Sequence, residues 1–332
     1  MKEKYSFMST KGQLMGKDDL MKTSKWLILG PLFVILGAGL WGTETYFRVN
    51  LNTRFDSEVL VFYEHLFCIV FSFPFLFLSL SKIRNIPKRS WIYLILSGVI
   101  GSAIGTTLFT MSLNELNPSV ANVLLNFQPI VTVIFASLLL KENLGRGFFL
   151  WGALALVAGA VIAANDFEFS QVKLNVGIFY ISLTAIAWGF STVAGRGAMI
   201  HMPLGIAAFG RFFVGAITIF VSLFVKGHFT SEMMKFSSLS DLFVVKNFLL
   251  LSVGAGVIPL FFYFKGLSKT SATVGGFCEL TQTFTALLLT WGIMHNPLSA
   301  KQVIAGLILI VCVYRINLNF SKANALENLV PK

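Results

Sequence analysis

The chain has 332 residues, 55% of them hydrophobic and only 12% charged, with a mean hydropathy of +0.77. Soluble domains carry about 25% charged residues, so the composition excludes an ordinary water-soluble domain and reads as an all-α polytopic membrane protein. The net charge of +11 would suggest a nucleic-acid partner in a soluble chain; here the basic residues sit between apolar runs, and the bilayer is the expected partner.

Residues 1–25 are polar and lysine-rich and read as a cytoplasmic tail. Each crossing of about 30 Å of hydrocarbon needs roughly 20 apolar residues, and ten such runs follow. The expected spans are 26–47, 57–80, 91–113, 118–140 and 147–164, then 175–196, 204–225, 247–267, 271–293 and 301–319, with 320–332 as a second cytoplasmic tail. The first run is too long for a signal-peptide core. Helices are required because hydrocarbon offers the backbone no other partner. Pro74, Pro129 and Pro259 fall within spans, where each removes a hydrogen bond and permits a kink.

With the N-terminus inside, 18 Lys and Arg fall on cytoplasmic segments and 7, Arg48 among them, on the outer side. This asymmetry places both termini in the cytoplasm, and an inner (cell) membrane is the expected location. The longest outer connection, 226–246, mixes Phe, Met and Leu with polar residues and reads as an amphipathic segment at the interface or as plain loop.

The chain repeats itself. Gln128 falls on Gln282, Leu144 on Leu298 and Gly152 on Gly306, each 154 residues apart, and Trp41-Gly42 is echoed by Trp188-Gly189. The repeats are assigned to 26–164 and 175–319. Five spans in each half put the second half in the membrane with opposite orientation. Such an inverted repeat lets a central site alternate its access.

Charged side chains at membrane depth are costly and need a reason. Glu44 and Arg48 lie at i,i+4, either as a self-neutralised pair or with Glu44 as a substrate contact. Glu64 and His65 are neighbours about 100° apart on a helix, and are candidate proton-coupling groups because imidazole titrates near neutral pH. Arg211 has no acid within a turn of its own helix; Glu279, Glu64, Glu44 or an anionic substrate are its candidate partners. Asn122, Asn126 and Pro129 form one stripe, continued by Gln128 and matched in the second half by Glu279, Gln282 and Thr283. Trp41, Trp188, Phe109 and Tyr263 are candidate apolar walls. The candidate substrate site is therefore Trp41, Glu44, Asn122, Asn126, Gln128, Trp188, Arg211, Tyr263, Glu279 and Gln282. The three cysteines and four histidines show neither a disulfide framework nor a metal spacing, so no cofactor or metal is expected.

The Trp-Gly pairs, Arg211 in AAFGRFFVGA, and the run NVLLNFQPIVTVIFASLLLKENLGRGFFLWGALALVAGAV together resemble the EamA-type members of the drug/metabolite transporter superfamily over about residues 26–319. The resemblance implies ten spans in two repeats and secondary transport of a small organic solute, commonly export of amino acids or other metabolites. Gln128 stands where many relatives have Glu, and His65 where an Arg would be expected. The expected function is a non-enzymatic secondary transporter of a small polar metabolite, an exporter, proton-coupled through Glu64 or His65, and a monomer or homodimer. The alternative is a structural, signalling or enzymatic membrane protein, but no catalytic cluster and no appended domain speak for it.

Overall fold

A computed structural model describes residues 17–144, 147–163, 175–230, 234–294 and 299–327. The regular structure of these residues is all helical, with no strand among them. Seven helices are long and apolar enough to cross a membrane: Ile28–Asn52, Ser57–Phe77, Lys88–Glu115, Val176–Met199, Leu204–Val225, Leu242–Leu267 and Ala300–Phe320. Large apolar side chains such as Leu78, Phe149 and Val225 stand exposed around the outside, as they must where the solvent is lipid.

The elements are α1 (Lys17–Trp41), α2 (Glu44–Asn52), α3 (Ser57–Phe77), α4 (Lys88–Glu115), α5 (Pro118–Leu125), α6 (Gln128–Leu139) and α7 (Phe148–Ala163). There follow α8 (Val176–Met199), α9 (Leu204–Val225), α10 (Leu242–Leu267), α11 (Ala272–Cys278), α12 (Thr281–Met294) and α13 (Ala300–Glu327). Helix α1 starts at Lys17 and α13 runs to Glu327, so part of each tail continues the adjoining helix, while residues 1–16 and 328–332 lie outside the described part.

The expected spans at 118–140 and 271–293 are not continuous helices. Each is broken, between Leu125 and Gln128 in one and between Cys278 and Thr281 in the other. Pro129 is thus not a mid-helix kink; it occupies the first turn of α6, where its missing N–H would have had no partner anyway. Helices α4 and α10 each contain a π-helical stretch, Ser97–Gly105 and Leu250–Val257, and Pro259 follows directly on the second. The breaks and the π stretches thus recur at matching places in the two halves.

Packing exchanges partners between the halves. Helix α1 lies along α10 while α8 lies along α4; α3 packs on α9, and α7 on α13; α6 meets α8, and α12 meets α1. The two Trp-Gly pairs explain the last contacts. A Cβ on Gly42 would fall 2.5 Å from the Gln282 carbonyl oxygen, and one on Gly189 would fall 3.0 Å from that of Gln128 and 2.9 Å from Val131 Cβ. Each glycine admits the backbone of a broken helix just past its break, as small residues do where helices approach closely in lipid.

The halves are also tied through helix ends. The Glu142 carboxylate accepts from the Ala272 and Thr273 N–H groups at 2.7 and 3.0 Å. It caps α11 together with Ser271, whose Oγ accepts from Val274 N at 3.1 Å. Within the second half, Arg196 donates to the Leu267 and Ser268 carbonyls at the end of α10. The 226–246 connection folds onto the bundle: Met234 is fully buried, its carbonyl accepts from Tyr63 at 3.0 Å, and Asp241 caps α10 through Phe243 N. Residues 231–233 of this connection lie outside the described part.

Gly42→Ala forces a Cβ to 2.5 Å from a backbone oxygen, whereas the tightest contact of Gly189→Ala is 2.9 Å. Thermal unfolding in detergent should show Gly42→Ala as the more damaging, by about 1–3 kcal/mol on the usual scale of overpacking, and equal effects would contradict the packing described.

Candidate functional site

A cavity enclosing about 670 Å³ of space not filled by protein atoms, its mouth included, lies between the two halves. Its walls carry Trp41, Glu44, Gln128, Trp188, Arg211, Tyr263, Glu279 and Gln282, and also Glu64 and His65.

At the centre is Glu279, in the break between α11 and α12. Its Oε1 accepts from Tyr263 OH at 2.6 Å and from Thr192 Oγ1 at 2.8 Å, and its Oε2 takes the Gln128 side-chain amide. These donors come from α10, α8 and α6, so one carboxylate joins four elements from both halves. No cation lies at ion-pair distance from it among the described residues. The Tyr263 ring in turn carries Trp41 at 4.7 Å between centroids, and the repeat-related pair, Phe109 and Trp188, stands at 5.0 Å.

A second cluster gathers around Arg48, which is 1% exposed. Its Nη2 lies 3.2 Å from Glu44 Oε2 and 2.8 Å from Glu64 Oε1, and its Nη1 donates to Thr110 at 3.1 Å. Glu44 Oε1 accepts from the Gln282 amide at 3.2 Å. Two acids therefore share one guanidinium, and Glu64 Oε2 and Arg48 Nε remain without hydrogen-bond partners among the described residues. His65 Nδ1 meets the Val61 carbonyl, Nε2 meets Ser102 Oγ, both at 2.8 Å, and the ring packs edge-on against Phe212. Glu64 and His65 line the cavity together because it extends along two walls, one built by α2 and the other by α4 and α9.

Arg211 bonds none of the three candidate acids directly, though Glu279 faces the same cavity and acts on it through space. Its Nη1 donates to Ser97 Oγ at 2.9 Å and Ser191 Oγ at 3.0 Å, and no carboxylate lies at ion-pair distance among the described residues.

Three expectations change. Asn126 is not on the main cavity. It sits at the α5–α6 break, donates to the Gly159 carbonyl at 2.9 Å, accepts from Thr283 at 3.1 Å, and borders a smaller void. Asn122 is buried but is not on the cavity wall either, because the helix break ends the continuous stripe on which both were placed. Phe109 is wholly buried behind Trp188, with the Arg48 guanidinium 6.0 Å from its ring centre, and is not a wall. Conversely, Arg48, counted among the outer charges and left out of the candidate site, is buried in the cavity wall and makes the i,i+4 pair with Glu44. Ser97, Ser191 and Thr192 were missed; hydroxyls on apolar helices carry no distinguishing spacing. No group of three metal-ligating side chains occurs among the described residues, and the three cysteines are buried and unpaired.

Removing Arg48 would leave two acids buried without a cation. Arg48→Met should therefore destabilise the protein by about 3–5 kcal/mol, and adding Glu44→Gln and Glu64→Gln should recover most of it. Chemical unfolding in detergent reads both; a mild single substitution, or no recovery, would contradict the cluster.

The EamA-like transporter family matches the chain twice, over residues 28–164 and 175–318. The riboflavin transporter ImpX of Fusobacterium nucleatum subsp. nucleatum is 27% identical over 303 residues, covering 87% of this chain and 98% of that protein. An uncharacterized transporter of Methanothermobacter thermautotrophicus is 22% identical over 236 residues, covering 69% of this chain and 65% of that one. A protein of known crystal structure shares the fold at a TM-score of 0.67 and 14% identity, over 89% of this chain and 98% of that one. With both halves matched and a multi-pass apolar fold around a central cavity, the chain belongs to the EamA-like transporter family and is a membrane transporter of a small molecule.

Proposed function

We propose that the chain is a secondary transporter of ten spans, two inverted five-span repeats at 26–164 and 175–319, working by alternating access at the central cavity. The observation that carries this reading is that repeat-related side chains, Trp41 with Trp188 and Gln128 with Gln282, meet around one cavity. The broken helices at matching places support it too, since transporters of this kind hold solute where helices are interrupted near the midplane. The seven long apolar helices, together with α6, α7 and α12, supply the spans in this reading. Both termini lie in the cytoplasm, as the Lys and Arg asymmetry favours, and the protein resides in the cell membrane.

The cargo in this reading is a planar, polar organic solute, held between the aromatic pairs and bonded by the polar walls. Similarity to a riboflavin transporter along nearly its whole length makes flavins the first class to try. An amino acid is the second reading, favoured by Arg211 and Glu279 facing one cavity. Trp41, Glu44, Gln128, Trp188, Arg211, Tyr263, Glu279 and Gln282 are its proposed contacts, while Asn122 and Asn126 support the break behind them. Export coupled to protons is proposed, with Glu64 and His65 as the proton carriers.

Proteoliposomes loaded with riboflavin, FMN or tryptophan test this. Exchange of external label for at least one internal solute is expected, and it should be accelerated by an imposed pH gradient. Glu64→Gln should keep exchange and lose the acceleration. No exchange of any of the three would contradict the cargo, and full acceleration in Glu64→Gln would contradict its coupling role.

A further inference from the structure

The cavity holds two guanidinium groups in opposite circumstances. Arg48 is neutralised by Glu44 and Glu64. Arg211 touches only the hydroxyls of Ser97 and Ser191, through Nη1 alone, and has no acid at ion-pair distance among the described residues. The nearest candidate, Glu279, already accepts three hydrogen bonds from Tyr263, Thr192 and Gln128. Arginine at membrane depth is paired or faces a polar cavity; here Glu279 acts on Arg211 only through space, and no carboxylate of the described residues bonds it directly.

The local backbone supports a built site. Ser97 begins the π-helical stretch of α4, a distortion that recurs at functional positions. One turn on, Gly101 leaves room beside the free end of the guanidinium: a Cβ there would lie 3.5 Å from Arg211 Nη2 and 2.0 Å from Ser191 Oγ. The Gly101 carbonyl also fixes Trp188 by accepting its indole N–H at 3.1 Å. An aromatic wall and a free guanidinium edge are thus oriented by two residues one turn apart on α4, Gly101 and Ser97.

We propose that Arg211, Ser97 and Ser191 form an anion subsite, so that the transported solute is an aromatic acid whose carboxylate or phosphate binds Arg211 while its ring lies against Trp188. A guanidinium fork bonds either oxyanion through two N–H groups. The proposal rests on the transport reading above and narrows its cargo. Of the flavins, the phosphate-bearing one fits, and of indoles, the carboxylate-bearing one.

The test compares matched pairs, FMN against riboflavin and tryptophan against tryptamine, by quenching or shift of tryptophan fluorescence and by thermal shift of the purified full chain. The acid of at least one pair should bind about tenfold or more tightly than its neutral or cationic counterpart, the scale of a charge-assisted bidentate contact. Arg211→Gln should erase that preference and Arg211→Lys keep part of it; Arg211→Lys, retaining the charge, also controls for folding. A second arm needs no cargo. Phe212→Cys, beside the subsite, is treated with anionic sulfonatoethyl or cationic trimethylammonium-ethyl methanethiosulfonate, the three native cysteines being buried. The anionic reagent should react faster, and Arg211→Gln should lower the ratio several-fold. Binding without preference for the acid in both pairs, a preference that survives Arg211→Gln, or a reagent ratio unmoved by it would each overturn the subsite. If none of the four probes binds while the reagent ratio still depends on Arg211, the cargo reading fails and the anion subsite stands.

Discussion

A carboxylate inside a membrane protein must find donors within the protein, because hydrocarbon supplies none. Glu279 finds three, all neutral, from α6, α8 and α10. Much of the cavity follows from satisfying this one group. Gln128 has to stand at the start of α6, which the break after Leu125 allows. Tyr263 has to reach across from α10, and doing so sets the ring against which Trp41 packs. Gly42 and Gly189 let the broken helices approach closely enough for these bonds to form.

The remaining polar groups divide the cavity electrically. Near α2 and α3, two acids share Arg48, a cluster with one more negative than positive charge when both are ionised. Near α4 and α9, Arg211 stands with hydroxyls only. A cavity with such poles orients a dipolar or charged solute as well as enclosing it. Complementary charge also discriminates among partners more than it adds affinity.

Much of this was legible in the residues and some was not. Apolar runs of span length reveal a polytopic helical protein, and the 154-residue offset reveals the duplication, because both are carried by composition and spacing. Trp41, Trp188, Gln128, Gln282 and Glu279 stand out as polar or bulky groups at matched depth, and the structure gathers them. The helix breaks were not legible: NFQP and CELTQ read equally well as continuous helix when only hydropathy is counted. Asn122 and Asn126 were misplaced for that reason. The Glu44–Arg48 pair was legible from its i,i+4 spacing, but nothing local announces that Glu64, on another helix, shares the same guanidinium. Ser97 and Ser191 gave no signal, since a serine on an apolar helix usually bonds its own backbone.

The central claim is that Glu279 physically joins the two halves at their helix breaks. Backbone amide exchange by mass spectrometry, on wild type and Glu279→Ala in nanodiscs, tests it most directly. The account predicts faster exchange not only around residues 275–285 but also in the first turn of α6, from Gln128 to Thr132, some 150 positions earlier in the chain. Faster exchange confined to the neighbourhood of the substitution, with α6 unchanged, would contradict it.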